Sequence, residues 1–365
     1  MSLIHKIALS FIKNAGPVLA KSMLAYAGSA ENVFSMVPKR LDRVPGIGPK
    51  RLEAFDFEAA LKRAEEEIGF IEKHNIDVLF YSDPAYPKRL KACHDAPVLL
   101  YAKGKMDLNH PRIVSVIGTR QPTEYGKQLC RDLIEELSQY GVLVVSGLAH
   151  GIDVAAHKEA LKHNMQTVGV LGHGLQQIYP AVNKGTAEKM LLNGGILTEY
   201  PSGVIPDREN FPSRNRIVAG IADATIVIEA NIKSGTLITA EIANSYNRDV
   251  FAFPGRINDE FSEGCNFLIR NHKASLLTCA ADVAYLMGWD KPDAAVAKPS
   301  QLSLAMDLSS EERQIMEILR SDAGIAIDEL TLKVGMPVSQ LTMNLLNLEM
   351  QGFIRSMPGK TYALN

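Results

Sequence analysis

Between residues 111 and 288 the chain alternates short, largely apolar runs with longer stretches of helical periodicity. The runs fall at 113–117, 142–146, 167–171, 195–198, 225–228 and 250–252, with a candidate edge strand at 275–278. Runs this apolar, spaced by helices, predict a parallel sheet buried on both faces, in a doubly wound α/β domain. Ahead of it, 1–58 reads as short helices punctuated by Gly and Pro. The segment 59–110 reads as a helix rich in Glu and Lys, then strands at 77–81 and 97–101, a lead-in packed on the next domain. Behind it, 289–304 mixes prolines, alanines and polar residues without periodicity and is expected to be a linker. Residues 305–365 predict helices at 311–321, 327–334 and 338–351, a turn at Gly335-Met336-Pro337 and a terminal strand pair. Ser309 or Ser310 with Glu312 marks a capped start for the first of these helices.

The order of elements in 305–365 is that of a winged helix-turn-helix. Near the other end, Val44-Pro45-Gly46-Ile47-Gly48-Pro49-Lys50-Arg51 resembles a helix-hairpin-helix, in which a glycine turn and a helix N-terminus present N–H groups suited to phosphate. Asn14-Ala15-Gly16-Pro17 with Ala20-Lys21 resembles a degenerate first copy. The other reading of this stretch is an αα-hairpin with Gly-Pro punctuation.

Composition changes little, with 46% hydrophobic and 22% charged residues as in ordinary globular chains. No apolar run approaches the roughly 20 residues of a membrane span. The opening stretch carries Lys6 inside its apolar part and reads as an amphipathic helix, not a signal peptide. Four dispersed cysteines without a CxxC argue against disulfides and zinc, and fit a reducing cytoplasm. A net charge of −2 first argues against nucleic acid. Residues 1–58 sum to +3, 111–288 to −2 and 305–365 to −3, so no broad basic face is visible. Any DNA site must be local, built from a few cations and backbone amides. The candidate recognition helix, 338–351, holds no Lys or Arg; Gln340, Asn344 and Asn347 could touch bases, but phosphate anchoring would be poor. This module is therefore expected to bind protein, a second copy of itself or the α/β domain.

Almost every predicted strand ends in a glycine-bearing or polar segment. These are Gly118-Thr119-Arg120, Ser146-Gly147-Leu148-Ala149-His150-Gly151-Ile152-Asp153, Gly172-His173-Gly174, Asn210-Phe211-Pro212-Ser213-Arg214-Asn215-Arg216, Lys233-Ser234-Gly235-Thr236 and Pro254-Gly255-Arg256. In a doubly wound, Rossmann-like sheet, ligands bind at the carboxyl ends of the strands. Glycine lets backbone approach a ligand, helix N-termini supply N–H donors, and Arg grips phosphate. The rim is thus expected to be an anion-binding crevice. Neither G-x-G-x-x-G nor G-x-x-x-x-G-K-[ST] is present, which excludes the dinucleotide fingerprint and the P-loop. His150, His157 and His173 form no recognisable metal set.

In this order and spacing, G-T-R, S-G-L-A-H-G-I-D, F-P-S-R-N-R-I and S-G-T-L-I-T-A resemble the DprA/Smf family. The resemblance covers roughly residues 80–300 well, and helical and winged-helix flanks also occur in that family. It implies single-stranded DNA binding with little sequence preference, a homodimer, interaction with RecA, a role in natural transformation or related recombination, no cofactor and no catalysis. By motif, it assigns DNA contact to Gly118, Thr119 and Arg120, to Ser146, Gly147 and Gly151, and to Lys184. It assigns the same role to Phe211, Arg214, Asn215 and Arg216, and to Lys233, Ser234, Gly235 and Thr236. Phe211 and Tyr179 are either stacking surfaces or core residues. Arg216 either lines the pocket or pairs with Asp223 or Glu229.

Two other readings compete. Nucleoside-monophosphate hydrolases of the lysine-decarboxylase-like group carry P-G-G-x-G-T-x-x-E. Here Thr239 stands where that glutamate belongs, and Glu241 falls on another side of the helix. A duplex-binding regulator led by the winged helix is the third reading, weakened by the module's acidity.

Overall fold

A computed structural model describes residues 2–36, 41–289, 309–321, 324–357 and 359–364. The expected linker, apart from Trp289, and the first residues of the expected C-terminal module lie outside the described residues. The chain divides into two compact units, Met1–Ala280 and Ala281–Asn365. Among the described residues no helix is long and apolar enough to cross a membrane.

The first unit opens with α1 (Leu3–Phe11), α2 (Pro17–Ala27), α3 (Ala30–Ser35), α4 (Pro49–Glu53) and α5 (Phe57–His74). Proline starts α2 and α4, where a missing N–H costs nothing. Asp56 caps α5, accepting from the Ala59 amide at 2.9 Å. Between α3 and α4, Gly46 takes φ +85° and its carbonyl accepts from Arg51 at 2.8 Å. Part of the segment before this turn, 37–40, lies outside the described residues.

Then follow β1 (Asp77–Phe80), α6 (Lys88–Lys91), β2 (Leu99–Lys105), β3 (Ile113–Ile117), α7 (Glu124–Ser138), β4 (Leu143–Ser146) and α8 (Ile152–Lys162). The rest of the sheet and its crossovers are β5 (Thr167–Val170), α9 (Lys184–Met190), β6 (Gly194–Thr198), α10 (Asn210–Ile221), β7 (Ala224–Val227), α11 (Gly235–Ser245), β8 (Asp249–Ala252), α12 (Glu263–Arg270) and β9 (Ser275–Leu276). Among the described residues the sheet has nine strands, ordered β1-β2-β6-β5-β4-β3-β7-β8-β9. From β6 to β9 all pairs are parallel. The two lead-in strands extend the same sheet antiparallel, β2 pairing with β6 and β1 with β2. Their outer positions Phe80, Leu99 and Tyr101 share one core with Ile7, Leu9 and Met23 of the helical segment.

Strands β3 to β7 are buried at every position. Their few polar side chains are satisfied within the sheet: Ser115 and Thr225 hydroxyls lie 2.7 Å apart, and Thr167 donates to the Val144 carbonyl at 3.0 Å. From β3 the chain winds through β4 and β5 to β6, then crosses back through α10 to place β7 on the other side of β3. The β3–β7 junction is therefore the switch point, where the strand ends diverge and leave a crevice.

His157 on α8 is buried, with Nδ1 2.7 Å from the Thr167 hydroxyl. Burial pushes its imidazole down to about 3, and the Arg214 cation pushes the same way. A histidine held neutral when folded contributes stability that is complete above its ordinary 6.5 and lost as pH falls toward 3. Asp153 and Glu199, whose carboxyls burial raises above their ordinary 3.8 and 4.5, act in the opposite sense as pH falls toward those values, so a variant must isolate the histidine. Urea midpoints of the wild type should fall more steeply below pH 6.5 than those of His157→Gln. Parallel curves would remove His157 as the cause.

At the unit boundary lies α13 (Ala280–Leu286), and the second unit continues with α14 (Ser310–Ser321), β10 (Ile325–Ala326), α15 (Ile327–Val334), α16 (Val338–Met350), β11 (Ile354–Met357) and β12 (Thr361–Leu364). The three strands pair in the order β10-β12-β11, making a winged helix-turn-helix. Ser309 and Glu312 form the expected reciprocal cap, with each backbone N–H donating to the other's side chain. Gly335 ends α15 at φ +72°. Gln340 and Asn344, offered by the sequence as base readers, both donate to the Glu311 carboxylate.

Candidate nucleic-acid interface

A crevice of about 750 Å³ opens at the β3–β7 switch point. The loop leaving β3 forms one wall. Its Thr119 amide donates to the Glu229 carbonyl at 2.8 Å, and Thr123 donates to the buried Glu229 carboxylate through its amide at 2.9 Å and its hydroxyl. Thr123 also caps α7, accepting from the Gly126 amide. Pinned at both ends, the loop leaves Arg120 exposed, with its guanidinium 5.7 Å from the centre of the Phe211 ring. That is within reach of a cation–π contact.

The loop after β4 forms the floor. Gly151 holds φ +80° and ψ −128°, and a Cβ there would run into the Thr119 carbonyl and come within 2.7 Å of the Arg120 backbone. Gly147 is pressed equally hard: a Cβ would lie 2.6 Å from both an Arg214 nitrogen and an Asp153 oxygen. Arg214 is buried, donating to the Gly147 carbonyl at 2.6 Å and to that of Val170. Burial lowers its guanidinium from the ordinary range, and Asp153 partly restores it. Conversely, burial raises the Asp153 carboxyl against the pull of Arg214. Asn183 ties down the middle of the loop, donating to the carbonyls of Leu148 at 2.9 Å and Ala149 at 3.3 Å.

The far wall is the segment after β7. Ser234 caps α11, accepting from the Thr236 amide at 3.2 Å, and Lys233 stands exposed beside it. Glu260 and Phe261 close the rim, with Glu260 accepting from Asn231 at 2.7 Å. The crevice thus offers exposed cations and a helix N-terminus, with a ring face beside them. Phe211 is half-buried and lines it; Tyr179 is exposed, its ring centre 6.0 Å from that of Phe211. Neither ring is a closed core residue.

Of the residues singled out in the sequence, Gly118, Thr119, Arg120, Gly147, Phe211, Arg214, Asn215, Lys233, Ser234, Gly235 and Thr236 line this one crevice. Four do not. The Ser146 hydroxyl turns inward and donates to the Val116 carbonyl. Gly151 lines a neighbouring hollow instead. Lys184 is exposed at the start of α9, directly after Asn183. Arg216 is the clearest correction: it pairs with Glu199 and donates to the Asp95 carbonyl at 2.5 Å. Asp223 and Glu229, the partners weighed for it, are held by Arg89 and Thr123. The reason is helical phase, because residues two apart on α10 point about 200° apart, so Arg214 and Arg216 cannot share a face.

Asp153 and Asn183 were not singled out, although Asp153 stands inside a quoted motif, and Glu229 was weighed only as a partner for Arg216. Their work is to hold loops contributed by distant segments, and only the fold brings the partners together. Thr239 is buried in the crevice wall, while Glu241 lies exposed and paired with Lys273 at 2.8 Å.

Residues 77–288 match the family model described as DNA recombination-mediator protein A, and residues 298–360 match that of the DprA winged helix domain. The chain is 32% identical to protein Smf of Synechocystis, over 98% of this chain and 97% of that one. The crystal structure of DNA processing protein A from Streptococcus pneumoniae superposes with a TM-score of 0.67 at 32% identity, over 79% of this chain and 98% of that chain. DNA processing protein A from Helicobacter pylori, whose structure addresses a single-stranded DNA binding mode, superposes with a TM-score of 0.54 at 32% identity, over 59% and 97%.

Proposed function

The chain belongs to the DprA/Smf family of DNA-processing recombination mediators, and from that premise we propose that it binds single-stranded DNA with little sequence preference and loads RecA onto it. The observation that carries the reading is the alignment of exposed Arg120 with the Phe211 and Tyr179 rings along a crevice rimmed by Lys233 and the α11 N-terminus. A single strand exposes both a charged backbone and free base faces, and this wall answers both. A duplex hides its base faces and gains nothing from the rings. The protein acts in the cytoplasm as a homodimer, without cofactor or catalysis, in natural transformation or a related recombination task. The family resemblance supports these last points.

Fluorescent single- and double-stranded oligonucleotides, titrated across a salt series, test the reading. Single strands should bind more tightly. Arg120→Ala should weaken that binding by about tenfold or more, roughly 1.4 kcal/mol, and reduce the salt slope by about 0.7. Arg120 is exposed, so stability should hold. If neither DNA binds, or Arg120→Ala changes nothing, the crevice serves a small nucleotide, and release of base from AMP becomes the assay of interest.

The winged helix is assigned to protein contact. With Gln340 and Asn344 engaged by Glu311, α16 presents an exposed apolar stripe of Met343, Leu346 and Met350. The 305–365 fragment should show no tight duplex binding at physiological salt in a mobility-shift assay. Tight binding there would return the module to DNA.

A further inference from the structure

We propose that the DNA path does not end at the crevice but continues over Arg120 into a second phosphate-binding hollow between α7 and α8. This rests on the single-strand reading above and extends it. The hollow has a volume of about 610 Å³ and shares Arg120 and Gln121 with the crevice, so Arg120 stands on the ridge between the two. Its other charged or titratable lining residues are Lys127 on α7, Lys158 on α8 and His150 in the loop between β4 and α8. Among the described residues no carboxylate lines it. The crevice itself sets Asp153 and Glu260 against Arg120, Arg214 and Lys233. The more positive of the two concavities is therefore the one whose two lysines, Lys127 and Lys158, lie outside the sequence motifs.

Tertiary structure builds this patch. Lys127 and Lys158 stand on neighbouring helices that pack together, so a chain with no basic face in its sums acquires one locally. Lys158 is exposed. Lys127 makes one ion pair with Glu124 at 2.7 Å, but both partners are open to solvent and screened, which leaves the ammonium exchangeable for phosphate. The floor is closed by Gly151, Val154 and Ala155, too small to stand between a strand and the cations. Among the described residues no aromatic side chain joins this lining. The hollow therefore suits backbone phosphates, whereas the crevice beside it offers rings to bases.

The test compares oligothymidylates of about 4 and about 16 nucleotides, the span of single-strand site sizes, on the full chain carrying Lys127→Gln and Lys158→Gln together. The short oligomer should bind the variant as it binds the wild type. Affinity for the long one should fall about tenfold, and its salt slope should drop by about 1.4, as for two lost phosphate contacts. Melting temperature should be unchanged, since Lys158 is exposed and the Lys127 side chain is 42% exposed. Unaltered affinity and slope for the long oligomer would overturn the hollow while leaving the crevice reading intact. Equal weakening for both lengths would overturn it too, by showing a general field in place of a site. Failure of the wild type to bind either length would remove both readings.

Discussion

Replacing Arg214 with alanine should destabilise the first unit by about 3–5 kcal/mol, because it strands a buried carboxylate and empties a buried cation site. Arg214 and Asp153 both lie against Gly147, shielded from solvent, and each moves the other's ionisation toward the charged form. The guanidinium also joins two strand ends, bonding the Gly147 carbonyl after β4 and the Val170 carbonyl at the end of β5. Its loss leaves those carbonyls without that donor and the crevice floor unsupported, so DNA binding should fall together with stability. Denaturant titration gives the magnitude. Arg214→Met combined with Asp153→Asn should cost less than the sum of the single changes, because the double variant leaves no unpaired charge. A loss below about 1 kcal/mol for Arg214→Ala would mean that water reaches Asp153, contrary to the buried-charge account.

Gly151→Ala should cost about 2–4 kcal/mol, combining glycine-only backbone geometry with overpacking. The clash falls on the Thr119 carbonyl and the Arg120 backbone, so relief must move the loop that presents Arg120. Single-strand affinity should therefore drop more than for Arg120→Ala, whose loop stays in place. Gly235→Ala is the control for stability alone: its position meets nothing within 4 Å and begins a helix, where alanine is tolerated. If Gly151→Ala unfolded at the same denaturant concentration as the wild type, the β4–α8 loop would have to be softer than its contacts imply.

The strands of the α/β sheet were legible because burial on both faces leaves an uninterrupted apolar run, and each of those runs contains the core of an observed strand. The glycine rim was legible for a related reason. Close approach demands glycine at fixed points along the chain, and Gly118 and Gly147, where a Cβ would run into Ile152 and Arg214, stand at the ends of two strands that border one crevice. The winged helix was legible from caps and turns, such as Ser309 with Glu312 and Gly335, whose chemistry is local. Less legible was the fate of polar residues inside the motifs. Ser146 and Arg216 sit in the same strings as Gly147 and Arg214 but turn away from the crevice.

The sequence by itself determined the class of fold, the strand ends that carry crevice-lining glycines and the presence of Arg120 on one of them. Those features depend on periodicity, backbone freedom and residue type, all of which act over a few neighbours. Tertiary structure alone decided which side chains face the crevice and which are spent holding loops. Asp153 and Arg214 come together around Gly147, Glu229 receives Thr123, and Glu67 of α5 accepts from Ser202, each across long stretches of chain. It also decided that the lead-in strands join the main sheet, and that Lys127 and Lys158 gather beside Arg120 in a chain of net charge −2. Charge and hydrogen-bond partners are set by proximity in space, and a linear sum of residues carries no record of it.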